Sequence, residues 1–545
     1  MVEGQTSVAN YGVGVYDFGV IMVNDMKLGQ SSPRGWSRPR RGFSVLRPGL
    51  ADALFVVLLI RVMMLGQTQL LKDPGIGWHV KTGQMILQTG RIPRTDPFSY
   101  TRGGQAWVPH QWLAETMMGA AYQLGGFNGV VLLASAFIAF LFRYLYRLLL
   151  AQGAGPLAAA GFTLLAAVVS GIHWHARPLL VTLLFFLITY HYCDGFSRGT
   201  ISGRRMLWLI PMFGLWANLH PGWIGGGIVL VVSFVDSLLG RRWRGAGLLG
   251  LIGAGCAGAT LINPFGAELH LWLIRLLGSP FLRTYVNEYQ PVRFLMPEGK
   301  LAMIFLVTLL IVLILGRRGV RRFDLLHLGV WLILGLTTIR NLPLLALLGA
   351  VQMGHWVGSI RPELWRRFRG ILPVSEELAR AERARPGGGL SLAAVGLMIL
   401  LTAAGVKCRS LGIGTAGFSP VRWPIKTGKV LLSHPQRMGN GFHSERWGGY
   451  LIFHGTPQIR VFVDDRFGLY GEQFLLNYVA VMKNKNGKGD HPAWHELFER
   501  YDIRWALLPL RWPLVKILTE NRHWRQIAQD KVAILFVKKT STPKQ

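Results

Sequence analysis

Residues 126–150 read GFNGVVLLASAFIAFLFRYLYRLLL, and their only charged residues are Arg143 and Arg147, near the C-terminal end. A run of this length and apolarity reads as a helix that crosses a bilayer. Comparable runs lie at roughly 50–66, 154–171, 178–193, 206–219, 224–240, 246–263, 301–316, 325–339, 342–358 and 389–405, which makes eleven candidate spans. The composition agrees. The chain of 545 residues is 51% hydrophobic and 16% charged, with a mean hydropathy of +0.32. A soluble protein carries about a quarter charged residues. The reading is a mainly α, polytopic transmembrane helical bundle.

The net charge of +32 would suit a nucleic-acid binder, but the positions of the charges exclude that class. Arg and Lys cluster between apolar runs, as in Arg241-Arg242-Trp243-Arg244 and Arg317-Arg318-Gly319-Val320-Arg321-Arg322. Cytoplasmic loops look like this under the positive-inside rule. With the N-terminus in the cytoplasm, the basic loops after spans 2, 4, 6, 8 and 10 all fall on the cytoplasmic side. Residues 1–48 carry their basic stretch after a weakly apolar part, the reverse of a secretory signal, and read as a disordered basic cytoplasmic tail. Residues 49–405 form the transmembrane domain, with outer loops 67–125 and 264–300. Residues 406–545 are more polar and read as a small extracytoplasmic α/β domain. Strands are expected at Ile459–Val463, Trp505–Leu510 and Val532–Val537, and amphipathic helices at 471–483 and 491–501. The three cysteines, Cys193, Cys256 and Cys408, show no metal or disulfide spacing.

The first outer loop is the most unusual segment. It carries Asp73-Pro74-Gly75-Ile76-Gly77-Trp78-His79, then Asp96-Pro97-Phe98-Ser99-Tyr100, then Trp107, His110, Trp112 and Glu115. Tryptophans mark membrane interfaces and Asp-Pro and Gly shape turns, so a purely architectural reading is available. The chemical reading is that Asp73, partly desolvated at the membrane surface, acts as a base. Further polar residues fall at the outer ends of spans: His173, His175 and Arg177, then Asn218 and His220, then Asn263 and Glu268, then Glu288, then Arg340 and Asn341. Ionisable groups at membrane depth are costly and mark function. Arg177 and Arg340 together would suit a phosphate. In the tail, Asp464-Asp465 reads as a structural turn in which Arg466 pairs one acid. No supported dinucleotide fingerprint, P-loop, GxSxG or HExxH motif occurs.

These motifs, with Ala176-Arg177-Pro178, Asn218-Leu219-His220-Pro221-Gly222, Asn263-Pro264-Phe265-Gly266, Arg340-Asn341-Leu342-Pro343, Gly448-Gly449-Tyr450 and Asp465-Arg466, resemble a group of mostly uncharacterised bacterial polytopic proteins over about residues 50–540. More distantly the layout resembles the C-type glycosyltransferase (GT-C) superfold. That resemblance implies transfer of a sugar from a polyprenyl-phosphate-linked donor to an unknown acceptor, on the outer face of the bacterial plasma membrane. It implies Asp73, Asp96 and Glu115 as catalytic residues. Trp78, His79, His110, Trp112, Arg177, His220 and Arg340 would bind substrate, with the two arginines on the carrier phosphate. It implies membrane lipid as a partner and no nucleic acid. It requires no certain cofactor, names no metal ligand, and admits a divalent cation. The chain departs from the superfold where many members have two neighbouring acids in the first loop, since Pro74 follows Asp73. The competing classes are a transporter or flippase of a lipid-linked substrate and a non-catalytic membrane scaffold. Transporters commonly show internal repeats, and none is evident here.

Overall fold

A computed structural model describes residues 48–66, 68–360, 372–384, 388–434, 438–484 and 492–539. The expected N-terminal tail therefore lies outside the described residues, apart from residue 48. All eleven candidate spans are helical, from Leu50–Met64 through Trp112–Ala151 to Gly389–Ala403. Four helices are long and apolar enough to cross a membrane by length and composition alone: Trp112–Ala151, Pro156–His173, Leu179–Ser197 and Pro297–Leu315. The chain is thus a membrane helical bundle with a small C-terminal sheet.

The helix Trp112–Ala151 is interrupted where its sequence changes character. Gly126 has a φ of 59° and a ψ of −147°, a conformation that a side chain would resist. The N-terminal part belongs to residues 67–125, the segment expected as the first outer loop, and the apolar run begins at the break.

Buried acids at one end of the bundle meet the arginines of the basic loops. Arg321 Nη2 lies 2.5 Å from both Asp194 and Asp324, Arg322 Nε is 2.8 Å from Asp236, and Arg143 Nη2 is 3.4 Å from Asp52. Arg198 pairs with Asp194, and Arg242 with Asp236. A helix-end carboxylate without such a partner would be a costly buried charge. Some arginines of the basic loops are therefore committed within the fold.

The tail forms a four-stranded sheet in the order β1-β2-β4-β3. The strands are β1 (Asn440–His443), β2 (Ile503–Pro509), β3 (Trp524–Gln529) and β4 (Ala533–Lys538). β1 and β2 are parallel; β2 with β4, and β4 with β3, are antiparallel. Two expected strands correspond to β2 and β4, and the expected helices appear as Glu472–Met482 and Ala493–Arg500. Ile459–Val463 is a correction. It joins no strand of the sheet but pairs with the first outer loop, through Tyr100 N–H to Val461 O (3.1 Å) and Val461 N–H to Phe98 O (3.0 Å). Its apolar residues Ile459, Val461, Phe462 and Val463 are all buried, so burial alone could not tell the two pairings apart.

That seam continues on both sides. The Tyr100 hydroxyl donates to Gly441 O at 3.0 Å, and the Thr101 hydroxyl to Phe462 O at 2.7 Å. A Cβ at Gly77 would stand 2.0 Å from Gly449 O, so the helices Ile76–Thr89 and Gly448–Gly455 touch backbone to backbone. Arg466 closes the seam. Its Nη1 lies 2.8 Å from Asp96 of the loop, while its Nε and Nη2 donate to Asp464 at 2.8 and 2.7 Å. The guanidinium is buried against the rings of Trp107, Phe98 and Trp78. Removing one member of such a buried set leaves uncompensated charge. Arg466→Met should therefore cost about 3–5 kcal/mol and loosen the tail from the bundle. Thermal unfolding and limited proteolysis of the purified protein check this; a wild-type midpoint and cleavage pattern would refute it.

Candidate active site

Between the bundle and the tail lies a cavity of about 840 Å³. Its walls come from the first outer loop, the turns between helices, the second outer loop and the tail. Of the residues expected at a site, Asp73, Trp78, His79, His110, Glu115, Arg177, His220 and Arg340 all line it. Asp96 and Trp112 do not. The Asp96 carboxylate accepts from the backbone N–H groups of Phe98 and Ser99 at 3.1 Å, as well as pairing with Arg466, so it braces the loop. Trp112 Nε1 donates to Asn218 at 2.8 Å and ties the loop to the end of the helix Leu209–Leu219.

Asp73 follows the short helical turn Leu70–Lys72 at the end of the first apolar helix and is only 2% exposed. The Gly75 N–H donates to its Oδ1 at 2.9 Å, and Arg177 Nη1 lies 3.1 Å from its Oδ2. Asp465 enters from the tail. Its Oδ1 accepts from Trp78 Nε1 at 2.7 Å. The two acids flank Gly75 so closely that a Cβ there would lie 2.8 Å from Asp465 Oδ2 and 3.1 Å from Asp73 Oδ1. Burial pushes both carboxyl groups above their ordinary range. Asp73 and Asp465 also repel one another, and Asp465 is pushed up to about 8. The turn reading of Asp464-Asp465 holds for Asp464 alone. Adjacent side chains in extended backbone point to opposite sides, so one acid braces Arg466 while the other reaches the cavity.

Arg177 and Arg340 converge on the second outer loop. Arg177 Nη1 is 2.6 Å from Glu288 Oε1, and Arg340 Nη1 is 3.3 Å from Glu288 Oε2. Burial opposes the charge of Glu288, but the two guanidinium groups outweigh it and hold the carboxyl well below the usual range.

Histidines, a glutamate and aromatic faces line another part of the cavity. His79 Nδ1 lies 3.1 Å from Glu115 Oε1. These two meet because their helices cross at glycines: a Cβ at Gly83 would stand 1.8 Å from Glu115 O. His220 Nδ1 accepts from the Gly222 N–H at 3.0 Å and from the Thr182 hydroxyl at 2.7 Å, so its proton sits on Nε2. The His110 ring stacks on Trp272 with centroids 4.2 Å apart, and burial pulls its pKa down to about 3. Uncharged histidines and indole faces suit hydroxyl-rich, ring-shaped ligands. A divalent cation needs about six oxygen ligands. Within the Asp73–Asp465 pair, Asp73 is already engaged by Gly75 and Arg177. Among the described residues, no group of three or more His, Cys, Asp or Glu could hold a metal ion.

No protein-family model matches the sequence, and no curated protein matches it. Among solved structures the chain is similar to the apo oligosaccharyltransferase of Archaeoglobus fulgidus. The TM-score is 0.50 at 12% identity, over 86% of this chain and 70% of that one. It is also similar to ArnT from Cupriavidus metallidurans in the apo state, with a TM-score of 0.46 and 16% identity over 89% and 97% of the two chains. The same protein bound to undecaprenyl phosphate gives 0.47 and 14% over 90% and 98%. The likeness to the oligosaccharyltransferase establishes a GT-C-like fold for this chain.

The Asp465 carboxyl binds its proton more tightly in the folded chain than in the unfolded one. Folding stability is therefore lost as pH rises from the ordinary carboxylate value, about 4, toward the raised one. Asp465→Asn removes that titration and the repulsion on Asp73. The variant should melt roughly 1–4 °C above wild type at pH 8 and close to it at pH 4. A difference that does not grow with pH in thermal scans would refute the paired-carboxylate geometry.

Proposed function

We propose that this protein is a membrane glycosyltransferase that takes a sugar from a polyprenyl-phosphate-linked donor and gives it to an acceptor hydroxyl. The observation that carries the reading is the meeting, in one cavity of a GT-C-like bundle, of a carboxylate pair with two arginines from separate turns. The acceptor oxygen attacks the anomeric carbon, and its proton passes to the ionised carboxylate of the Asp73–Asp465 pair. The bond from the anomeric carbon to the phosphate oxygen breaks, and Arg177 and Arg340 take up the negative charge that develops on the leaving phosphate. The site's own residues supply the base and the leaving-group stabilisation. Trp78, His79, His110, His220 and Glu115 hold the sugar and acceptor. Asp96 and Trp112 act through the loop that they fasten.

The basic loops support an orientation with the N-terminus in the cytoplasm and the cavity facing the outside of a bacterial plasma membrane. Asp73 and the turns carrying Arg177, His220 and Arg340 all lie on the predicted outer side.

Asp73→Asn and Arg177→Ala should each lower transfer by about 10²–10⁴-fold. Mass spectrometry of envelope glycans and lipids from a host carrying each variant checks this. Undiminished modification with both variants would refute the mechanism. Movement of a lipid-linked sugar across vesicles by the purified protein, with no transfer product, would favour the flippase class.

A further inference from the structure

Glu288 stands where a substrate anion would stand. Each of its carboxylate oxygens meets a different arginine, Oε1 with Arg177 and Oε2 with Arg340. Two guanidinium groups grip one oxyanion in this way. Asp73, the other acid on Arg177, is 2% exposed and held by a backbone N–H. The Glu288 side chain is 26% exposed and, among the described residues, accepts hydrogen bonds only from the two arginines.

The backbone beneath it is anchored. The Ile339 N–H donates to Gln290 O at 2.9 Å, and the Val292 N–H to Leu336 O at 3.0 Å. These bonds fasten Glu288 to the segment that carries Arg340. The Tyr289 hydroxyl also accepts from Arg340 Nη1 at 3.2 Å. The arginines can therefore stay in place while the Glu288 carboxylate leaves by rotation of its side chain.

We propose that Glu288 is a displaceable stand-in for the carrier phosphate: it occupies the Arg177–Arg340 seat in the unloaded protein and yields it to an incoming phosphate oxyanion. The proposal rests on the reading of those arginines as the phosphate seat. Exchange of one anion for another keeps two buried like charges from facing each other uncompensated. It also means that the apparent affinity for the carrier is lowered by the fraction of time Glu288 holds the seat. The same competition returns after transfer and helps release the lipid phosphate.

The test is equilibrium binding of undecaprenyl phosphate to the full-length protein in detergent micelles, with undecaprenol as the probe lacking phosphate. Glu288→Gln keeps the shape and removes the charge, and should bind undecaprenyl phosphate about three- to tenfold more tightly than wild type. Undecaprenol binding should not change. Glu288→Asp, which keeps the charge but shortens the reach, should tighten binding less and serves as the second variant should the first not fold. Arg177→Ala and Arg340→Ala should each weaken binding of undecaprenyl phosphate. If the arginine variants weaken binding while neither Glu288 variant tightens it, the stand-in is overturned and the phosphate seat survives. If the arginine variants bind like wild type, the phosphate seat falls and the stand-in falls with it.

Discussion

The site depends on one buried cation. Arg466 holds an acid of the tail with one edge and an acid of the first outer loop with another, beneath three aromatic rings. Its neighbour in sequence, Asp465, is thereby delivered to the cavity. The chain between the loop and the tail is several hundred residues long, so no local interaction sets their register. A bidentate guanidinium pair sets direction as well as distance. That constraint puts the Asp465 carboxylate beside Gly75, where Asp73 also lies.

Charge is sorted between the two ends of the bundle. At one end, helix-terminal acids such as Asp194, Asp236 and Asp324 are satisfied by arginines from the basic loops. At the other, Asp73, Glu288, Arg177 and Arg340 form a chain of ion pairs that opens into a cavity. The first arrangement is closed on itself and architectural. The second leaves oxygens and guanidinium groups facing an open volume, which is the condition for exchanging a protein partner for a substrate group. The neutral histidines extend that volume without adding charge.

Much of the bundle was legible residue by residue. The apolar runs became helices because a helix satisfies its own backbone where water is absent, and the break at Gly126 falls where the run begins. Strands β2 and β4 were readable from their β-branched and aromatic content. Strands β1 and β3 were not, since β1 is only four residues and β3 is half polar. Asp73, Arg177 and Arg340 were legible as costly groups near membrane depth. Asp96, which the resemblance implied as catalytic, is engaged by the loop backbone and Arg466, because a buried charge is satisfied as well by a side chain as by a substrate. Asp465 was passed over as part of a turn. The only local clue to it was that two adjacent acids in an extended segment cannot share one side.

The sequence by itself determined that this chain is a membrane helical bundle with polar motifs gathered at the ends of its apolar runs. Hydrophobic length and the distribution of arginine are properties of each segment alone, so they survive without knowledge of the fold. The tertiary structure decided which polar residues meet. It joined Asp73 to Asp465, set Glu288 between Arg177 and Arg340, and turned Asp96 toward Arg466. Those pairings depend on segments far apart in the chain, and their partners are chosen by packing and by the cost of burying an unpaired charge. No periodicity within a segment records that choice.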